Sequence, residues 1–337
     1  MFEVITLENH ARWNAVVRSM NGFDFYHLAE YHRLDTSGIP LLLHCSDGTA
    51  GFALPFILRP IDGTDCNDIT SVYGYSGPLA DTACPDGKSL AAFHKDMLRF
   101  FDENSVVSVF FRLHPLLPVQ EKMLEGTGNT LDTGVTIAID LKLPESEQKK
   151  QYSHSLKNTL NRLQNKKPEV TKAVTKAEIE AFADIYTETM TRVHASQIYF
   201  FDKTYFSRFL ETLPSALYVA YYEDKMIGGS LFTDCNGIIQ PHLSATRSDC
   251  LHLSPLKYVW DQIRLYGVEK KRNYMHLGGG LGGNRDTLFA FKAQFSHLHL
   301  LFKTWRYVHN REIYDQLVRD KYGYDLPASS FFPLYRL

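Results

Sequence analysis

The sequence predicts a mixed α/β protein built from two related halves, and three observations carry that reading. Strand-like and helix-like stretches alternate: a helix over 88–104, with Leu90, Phe93, Met97, Phe100 and Phe101 on one side, precedes a β-branched and aromatic run over 106–113 and a cleanly alternating one over 135–141. At 337 residues the chain has material for two domains rather than one. Asp47, Gly51 and Leu54 recur as Asp224, Gly228 and Leu231, a constant offset of 177 that puts both triplets at the turn of an apolar hairpin. A duplicated module explains the echo; chance similarity between two hairpins is the alternative.

The elements follow in order. Helical patterns cover 11–20 and 26–34. Strands at 40–44 and 52–58 flank the turn Ser46-Asp47-Gly48-Thr49, and Pro55 and Pro60 demote the second towards an edge or a bulge. A strand from Ile69 runs into an aromatic, glycine-bearing loop. Beyond Pro144 the chain turns polar: 145–167 is helical and carries Lys149, Lys150, Lys157, Arg162, Lys166 and Lys167, so it reads as a link between halves. Helices at 176–194 and 204–213 precede a hairpin over 217–233, and Asn236-Gly237 is a tight turn into a strand at 238–246. Ser254 as N-cap and Pro255 in the first turn open an amphipathic helix with Leu256, Val259, Trp260 and Ile263 on one stripe, which Gly267 suits to stop. A short buried strand at 274–277 ends in glycines. A late strand at 298–308 and a helix at 312–322 close the chain.

Composition narrows the function. A hydrophobic fraction of 44% with 22% charged residues is ordinary for a globular protein. A formal net charge of -2 argues against a general nucleic-acid coat but leaves room for a local basic patch that holds a phosphate. Five scattered cysteines (45, 66, 84, 235, 250) without a CxxC pair predict reduced thiols in a cytoplasmic protein, and the 14 histidines show no zinc-ligand spacing, so no metal is expected. The N-terminal residues have no basic region followed by an apolar run, and no apolar stretch approaches the ~20 residues a bilayer requires.

A site is expected at 278–286. Five glycines among the six residues 278–283 let backbone N–H groups turn towards an anion or a substrate carbonyl, with Arg285, Asp286 and Lys292 supplying charge beside them. Gly278, Gly280 and Gly283 match GxGxxG in form, yet no acidic residue stands between Leu298 and Arg306 to bind a ribose, which sets a dinucleotide aside. On the strand at 238–246, simple alternation puts His242 with Ser244 and Thr246, and Arg247 on the opposite face. His242 has the chemistry to deprotonate an attacking ammonium; a structural histidine is the plain alternative. In the first half Tyr73, Tyr75 and Arg112 are candidates to bind an acceptor's sugar, peptide or phosphate portion, or else core rings and a solvated strand end. There is no GxSxG, and neither Cys45 beside His44 nor Cys250 near His252 fits a nucleophile signature, so direct attack without a covalent intermediate is expected.

The series Leu-Ser-Ala-Thr-Arg (243–247), Leu-Ser-Pro-Leu-Lys (253–257), Leu-Gly-Gly-Gly (277–280) and Asp-Thr-Leu-Phe-Ala-Phe-Lys-Ala-Gln-Phe-Ser (286–296) resembles the Fem-like branch of the GNAT acyltransferases, the group of peptidoglycan-bridge aminoacyltransferases. Phe-Tyr-His (25–27), Tyr-Gly-Tyr-Ser-Gly-Pro (73–78), Arg-Leu-His-Pro (112–115) and Ser-Leu-Lys-Asn-Thr-Leu-Asn-Arg (155–162) extend the likeness in order along the chain. The resemblance implies two tandem GNAT-like modules: 1–144 on the acceptor side, a basic helical linker at 145–170, and 171–337 on the donor side. It implies transfer of an aminoacyl or acyl group to a primary amine of a cell-envelope precursor or an amino sugar. The donor would be an aminoacyl-tRNA or an acyl-CoA, with tRNA a partner in the first case and no resident cofactor in either. Lys292 matches the lysine of the family's Phe-Lys motif and would stabilise an oxyanion or a donor phosphate; Asp286 would orient it or cap its helix. Gly278, Gly279, Gly280, Arg247 and Arg285 would line the donor groove. Simple GNAT enzymes hold the CoA pyrophosphate with a glycine-bearing loop, whereas 248–254 here contains no glycine, which fits a Fem-like donor. An acetyl-CoA-dependent N-acetyltransferase on a nucleotide-linked sugar and a non-catalytic module that binds an envelope precursor are the competing readings.

Overall fold

The computed structural model describes residues 2–166 and 168–337; Lys167 of the basic segment, and the side chain of Lys166, lie outside what is described. Contacts gather the chain into two compact units, Met1–Gly134 with Leu301–Leu337, and Val135–Leu300.

The first unit contains β1 (Phe2–Thr6), α1 (His10–Ser19), α2 (Ala29–His32), β2 (Ile39–Ser46), β3 (Gly51–Pro60), β4 (Asn67–Thr70), β5 (Leu79–Ala80), α3 (Gly87–Glu103), β6 (Val106–Arg112) and α4 (Val119–Leu124). The chain then enters β7 (Asn129–Asp140), whose last six residues belong to the second unit. That unit continues with α5 (Glu145–Lys150), α6 (His154–Lys166), β8 (Glu169–Lys172), α7 (Lys176–Arg192), α8 (Lys203–Thr212), β9 (Ser215–Tyr222), β10 (Lys225–Cys235), β11 (Ile238–Thr246), α9 (Pro255–Glu269), β12 (Tyr274–Gly278) and α10 (Thr287–Lys292). From residue 301, within β13 (Leu298–Val308), the chain returns to the first unit and ends with α11 (Arg311–Tyr322).

The duplication is visible in the strand pairing. In the first unit β1-β2-β3-β4 pair antiparallel, β4 pairs β6 parallel, and β6 pairs β13 antiparallel. In the second, β8-β9-β10-β11 pair antiparallel, β11 pairs β12 parallel, and β12 pairs β7 antiparallel. The hairpins that carry the echo, β2–β3 and β9–β10, occupy equivalent places. Each unit's closing strand comes from the far end of the other's stretch of chain, a feature that no local pattern encodes.

Several expectations need revision. β3 is an interior strand, not an edge: it pairs β2 along its length, and Pro55 sits between its pairing with β5 at Phe52 and Ala53 and with β4 from Ile57, where neither neighbour needs its missing N–H. The unit limits fall at 134 and 300 rather than at 144 and 170. The segment expected as a linker forms α5, α6 and the turn between them, which bury Tyr152, Leu156 and Leu160 in the second unit's core. Arg264 of α9, with no exposed surface, ties them down: it donates to Asp261 Oδ1 at 2.9 Å and Gln148 Oε1 at 2.9 Å, and Tyr152 Oη donates to Asp261 Oδ1 at 2.6 Å. Composition registers the wet lysine face and is blind to the buried one. Ser254 does not cap α9 with its side chain; it stands in the left-handed region at φ 53°. Gly267 lies inside α9, where a Cβ would press on Leu141 Cδ1 at 2.7 Å and Ile239 Cδ1 at 2.8 Å, so it serves close packing and not the helix stop.

Candidate functional site

The second unit's site begins where two strands part. β11 and β12 pair at only two positions, Ile238↔Tyr274 and Ile239↔Met275, although β11 continues for seven more residues. Opposite faces of this sheet are covered by different helices. A Cβ on Gly229 would meet Phe182 of α7, whereas the adjacent Ser230 bonds Ser244, which accepts from Trp260 Nε1 of α9 at 3.2 Å.

His242 is a bulge residue: Leu231 pairs Leu243 while Phe232 pairs Pro241, so β11 carries one residue too many at 242. The face shared by His242, Ser244 and Thr246 in the sequence reading is therefore broken. His242 stacks on Phe209 of α8, centroids 4.8 Å apart, and its Nε2 meets Tyr205 Oη at 3.2 Å, while Ser244 turns to α9. Burial lowers the His242 pKa to about 4, so the ring is neutral at pH 7 and holds a proton weakly. Arg247 is drawn elsewhere, its Nε donating to Asp249 Oδ1 at 3.3 Å, and Lys225 pairs with the other oxygen of the same carboxylate. The turn at Ser248–Leu253 thus presents a carboxylate, and its chain is wound in 3-10 turns with no glycine cradle.

Beyond the split lies the glycine loop. Gly278, Gly282 and Gly283 adopt φ of 74°, 62° and 85°, a left-handed backbone that side chains disfavour. A Cβ on Gly279 would come within 2.7 Å of Val135 O, and one on Gly280 would collide with Asn284 O. Asp286 closes the loop onto the next helix: Oδ2 accepts from Leu281 N at 2.9 Å, and Oδ1 caps α10 by accepting from Phe289 N at 2.8 Å. Burial pushes the Asp286 carboxyl up, but the N–H groups of Phe289 and Leu281 outweigh it and hold it below its ordinary value. Arg285, exposed, lies over the Phe289 ring at 5.7 Å.

Lys292 ends α10 and reaches back, its Nζ donating to Gly279 O at 2.6 Å. The side chain keeps some exposure, but desolvation of the ammonium lowers its pKa from 10.5 to about 8, with Asp286's charge acting the other way. An ammonium largely withdrawn from water and bonded to a glycine-rich turn suits the oxygen of a tetrahedral intermediate. The structure brings together Lys292, Asp286 and Gly278–Gly280 from the sequence candidates; Arg247 keeps its own partners.

In the first unit, Tyr73 is 54% exposed and its carbonyl accepts from Tyr31 Oη at 3.0 Å. Tyr75 is half-buried, edge-on to Phe302 with centroids at 5.2 Å and to Tyr26 at 5.9 Å. Arg112 lies over Phe110 at 4.9 Å. Beneath them His114 Nε2 bonds the buried Asp24 carboxylate at 3.0 Å while its Nδ1 accepts from Leu116 N at 3.1 Å, so both ring nitrogens are engaged.

Sequence reading missed Gln240, His276 and Tyr205. They sit on three different elements, far apart along the chain, and only the sheet and the α8 docking bring them beside the split.

Two copies of a sheet with four antiparallel strands, one parallel pairing and one closing strand, helices on its faces, define the class: tandem GNAT-like modules in a mixed α/β fold. No family model matches the sequence, and no curated protein matches it. Among solved structures the chain is similar to FemX, at TM-score 0.74 and 10% identity over 94% of this chain and 99% of that one. It is also similar to L-PGS from Bacillus licheniformis (0.59, 12% identity, 89% and 92% covered) and to the C-terminal domain of a putative lysylphosphatidylglycerol synthetase from Agrobacterium fabrum (0.58, 14% identity, 93% and 96% covered). At such identities the likeness is one of fold, and the fold is the Fem-like one. Among the described residues no helix is long and apolar enough to cross a membrane.

Proposed function

We propose that the chain is an N-acyltransferase of the Fem-like type that moves an aminoacyl group from an ester-linked donor to a primary amine of a cell-envelope component. The observation that carries the reading is Lys292, a desolvated ammonium hydrogen-bonded to the glycine loop next to the parted strands. The neutral amine attacks the donor carbonyl; its electron pair forms the C–N bond while the carbonyl pair moves to oxygen. Lys292 donates a hydrogen bond to that oxyanion, and collapse expels the donor's hydroxyl oxygen, which takes the proton the amine gives up. The weak basicity of His242 argues for an amine that arrives already deprotonated.

The FemX-like fold supports the Fem type of transfer, and the aminoacylated lipid in the name of the lysylphosphatidylglycerol synthetase relative supports aminoacyl transfer to an envelope component, without bearing on the amine. The Asp249-bearing turn before α9 argues against a CoA pyrophosphate held by backbone there. Incubation with a panel of charged tRNAs or acetyl-CoA, with hydroxylamine as a small acceptor, tests the reading by hydroxamate formation. Aminoacyl hydroxamate formed from a charged tRNA faster than in the protein-free mixture supports it; acetyl hydroxamate alone above that background moves the protein to the CoA-dependent class, and neither product above background supports a binding module.

A further inference from the structure

The backbone ladder between β11 and β12 stops at Ile239↔Met275. The next residue on each strand is polar and buried, Gln240 at 5% exposure and His276 at 0%. Their side chains bridge the gap the backbone no longer spans, His276 Nδ1 standing 3.1 Å from Gln240 Oε1. An amide oxygen can only accept, so Nδ1 carries the hydrogen. Bulges flank the bridge. His242 is the extra residue on β11, and Leu277 is the extra one on β12, since His276 pairs Ala138 while Gly278 pairs Ile137. Each bulge breaks its strand's register with the neighbour on its other side just past the bridge. Replacing both partners of a buried hydrogen bond by apolar groups of the same shape is often nearly neutral, so stability is not the only reason a sheet keeps a polar pair.

The residues just downstream of His276 supply the reason. Two positions on, Gly278 turns left-handed; three positions on, the Gly279 carbonyl receives the Lys292 ammonium. We infer that Gln240 and His276 form a positioning couple, which sets the width of the strand split and, through the end of β12, the place of the Gly279 carbonyl and of the Lys292 ammonium it holds. The inference rests on the reading of Lys292 as the oxyanion donor, but its test needs no substrate.

Lysines are reductively methylated with ¹³C-formaldehyde and titrated by NMR, the Lys292 signal being the one lost in Lys292→Arg. In the wild-type protein that signal titrates well below those of the exposed lysines. Gln240→Leu moves it towards them as the ammonium leaves its desolvated place beside the glycine loop and regains water. With a working donor, Gln240→Leu lowers kcat about tenfold to a hundredfold and leaves KM within about twofold. A Gln240→Leu protein that loses thermal stability while Lys292 titrates as in the wild type overturns the inference and leaves the pair a structural one. If Gln240→Leu does not fold, His276→Asn is titrated in its place with the same outcomes. Unchanged turnover in Lys292→Met defeats the reading of Lys292 as the oxyanion donor, and that result is distinct from any titration.

Discussion

Replacing Lys292 by Met keeps the length and apolar body of the side chain and deletes only the ammonium. The wild-type group is lowered from 10.5 to about 8, chiefly by loss of water, a differential of roughly 3 kcal/mol at about 1.4 kcal/mol per pH unit. In the ground state its bond to Gly279 O at 2.6 Å offsets part of that cost. A full negative charge forming within reach recovers more, and the difference is the share that accelerates the reaction. Removing one such donor elsewhere costs about 10²–10³ in kcat, or about 2.7–4 kcal/mol, the same scale. Lys292→Met should therefore lower kcat by about two to three orders of magnitude with KM little changed and circular dichroism as in the wild type. The assay is single-turnover transfer from a charged tRNA to hydroxylamine. Activity within about threefold of wild type refutes the oxyanion role, and a rise in KM at constant kcat reassigns Lys292 to holding a donor phosphate.

Further outcomes rest on the same geometry. The donating form of Lys292 is the ammonium, so turnover should fall as pH rises through about 8, and Asp286→Asn, which keeps a capping oxygen but removes the charge that raises Lys292, should move that limb to lower pH. The same group should affect stability with the opposite slope: between about 8 and 10.5 the unfolded chain binds its proton and the folded one does not, so its contribution rises with pH, and Lys292→Met should flatten that part of a denaturation series. Gly280→Ala should abolish turnover while leaving most of the sheet intact, because the added Cβ meets Asn284 O and the Asp286 carboxylate that close the loop; wild-type activity in that variant would argue against an ordered loop. Arg264→Met should cost about 3–5 kcal/mol by urea denaturation, because Asp261 is left buried without its cation, and a loss under about 1 kcal/mol would show the network to be dispensable.

Much of the architecture was legible in the residues themselves. Period-2 and period-3.6 patterns located β13 over 298–308 and α3, α7, α9 and α11 to within a few residues, because those patterns record which side of each element meets a core. The echo at Asp47 and Asp224 pointed to equivalent hairpins. β1, β8 and α4 were missed: at four to six residues, they are too short to show a period.

The candidate site was legible in part. Lys292, Asp286 and the glycines were readable because one short stretch of chain carries them all, and the turn forces them close. The division at 134 and 300, the breaking of His242's alternation, the Arg264 anchor beneath α5 and α6, and the meeting of Gln240 with His276 emerged only once the chain was assembled. They depend on strand pairings, a bulge and side-chain contacts that the assembled sheet and its helices fix, and these leave no trace in local spacing. Residue order and spacing alone specify the elements and the charged glycine turn; the packed fold selects which strands part beside it.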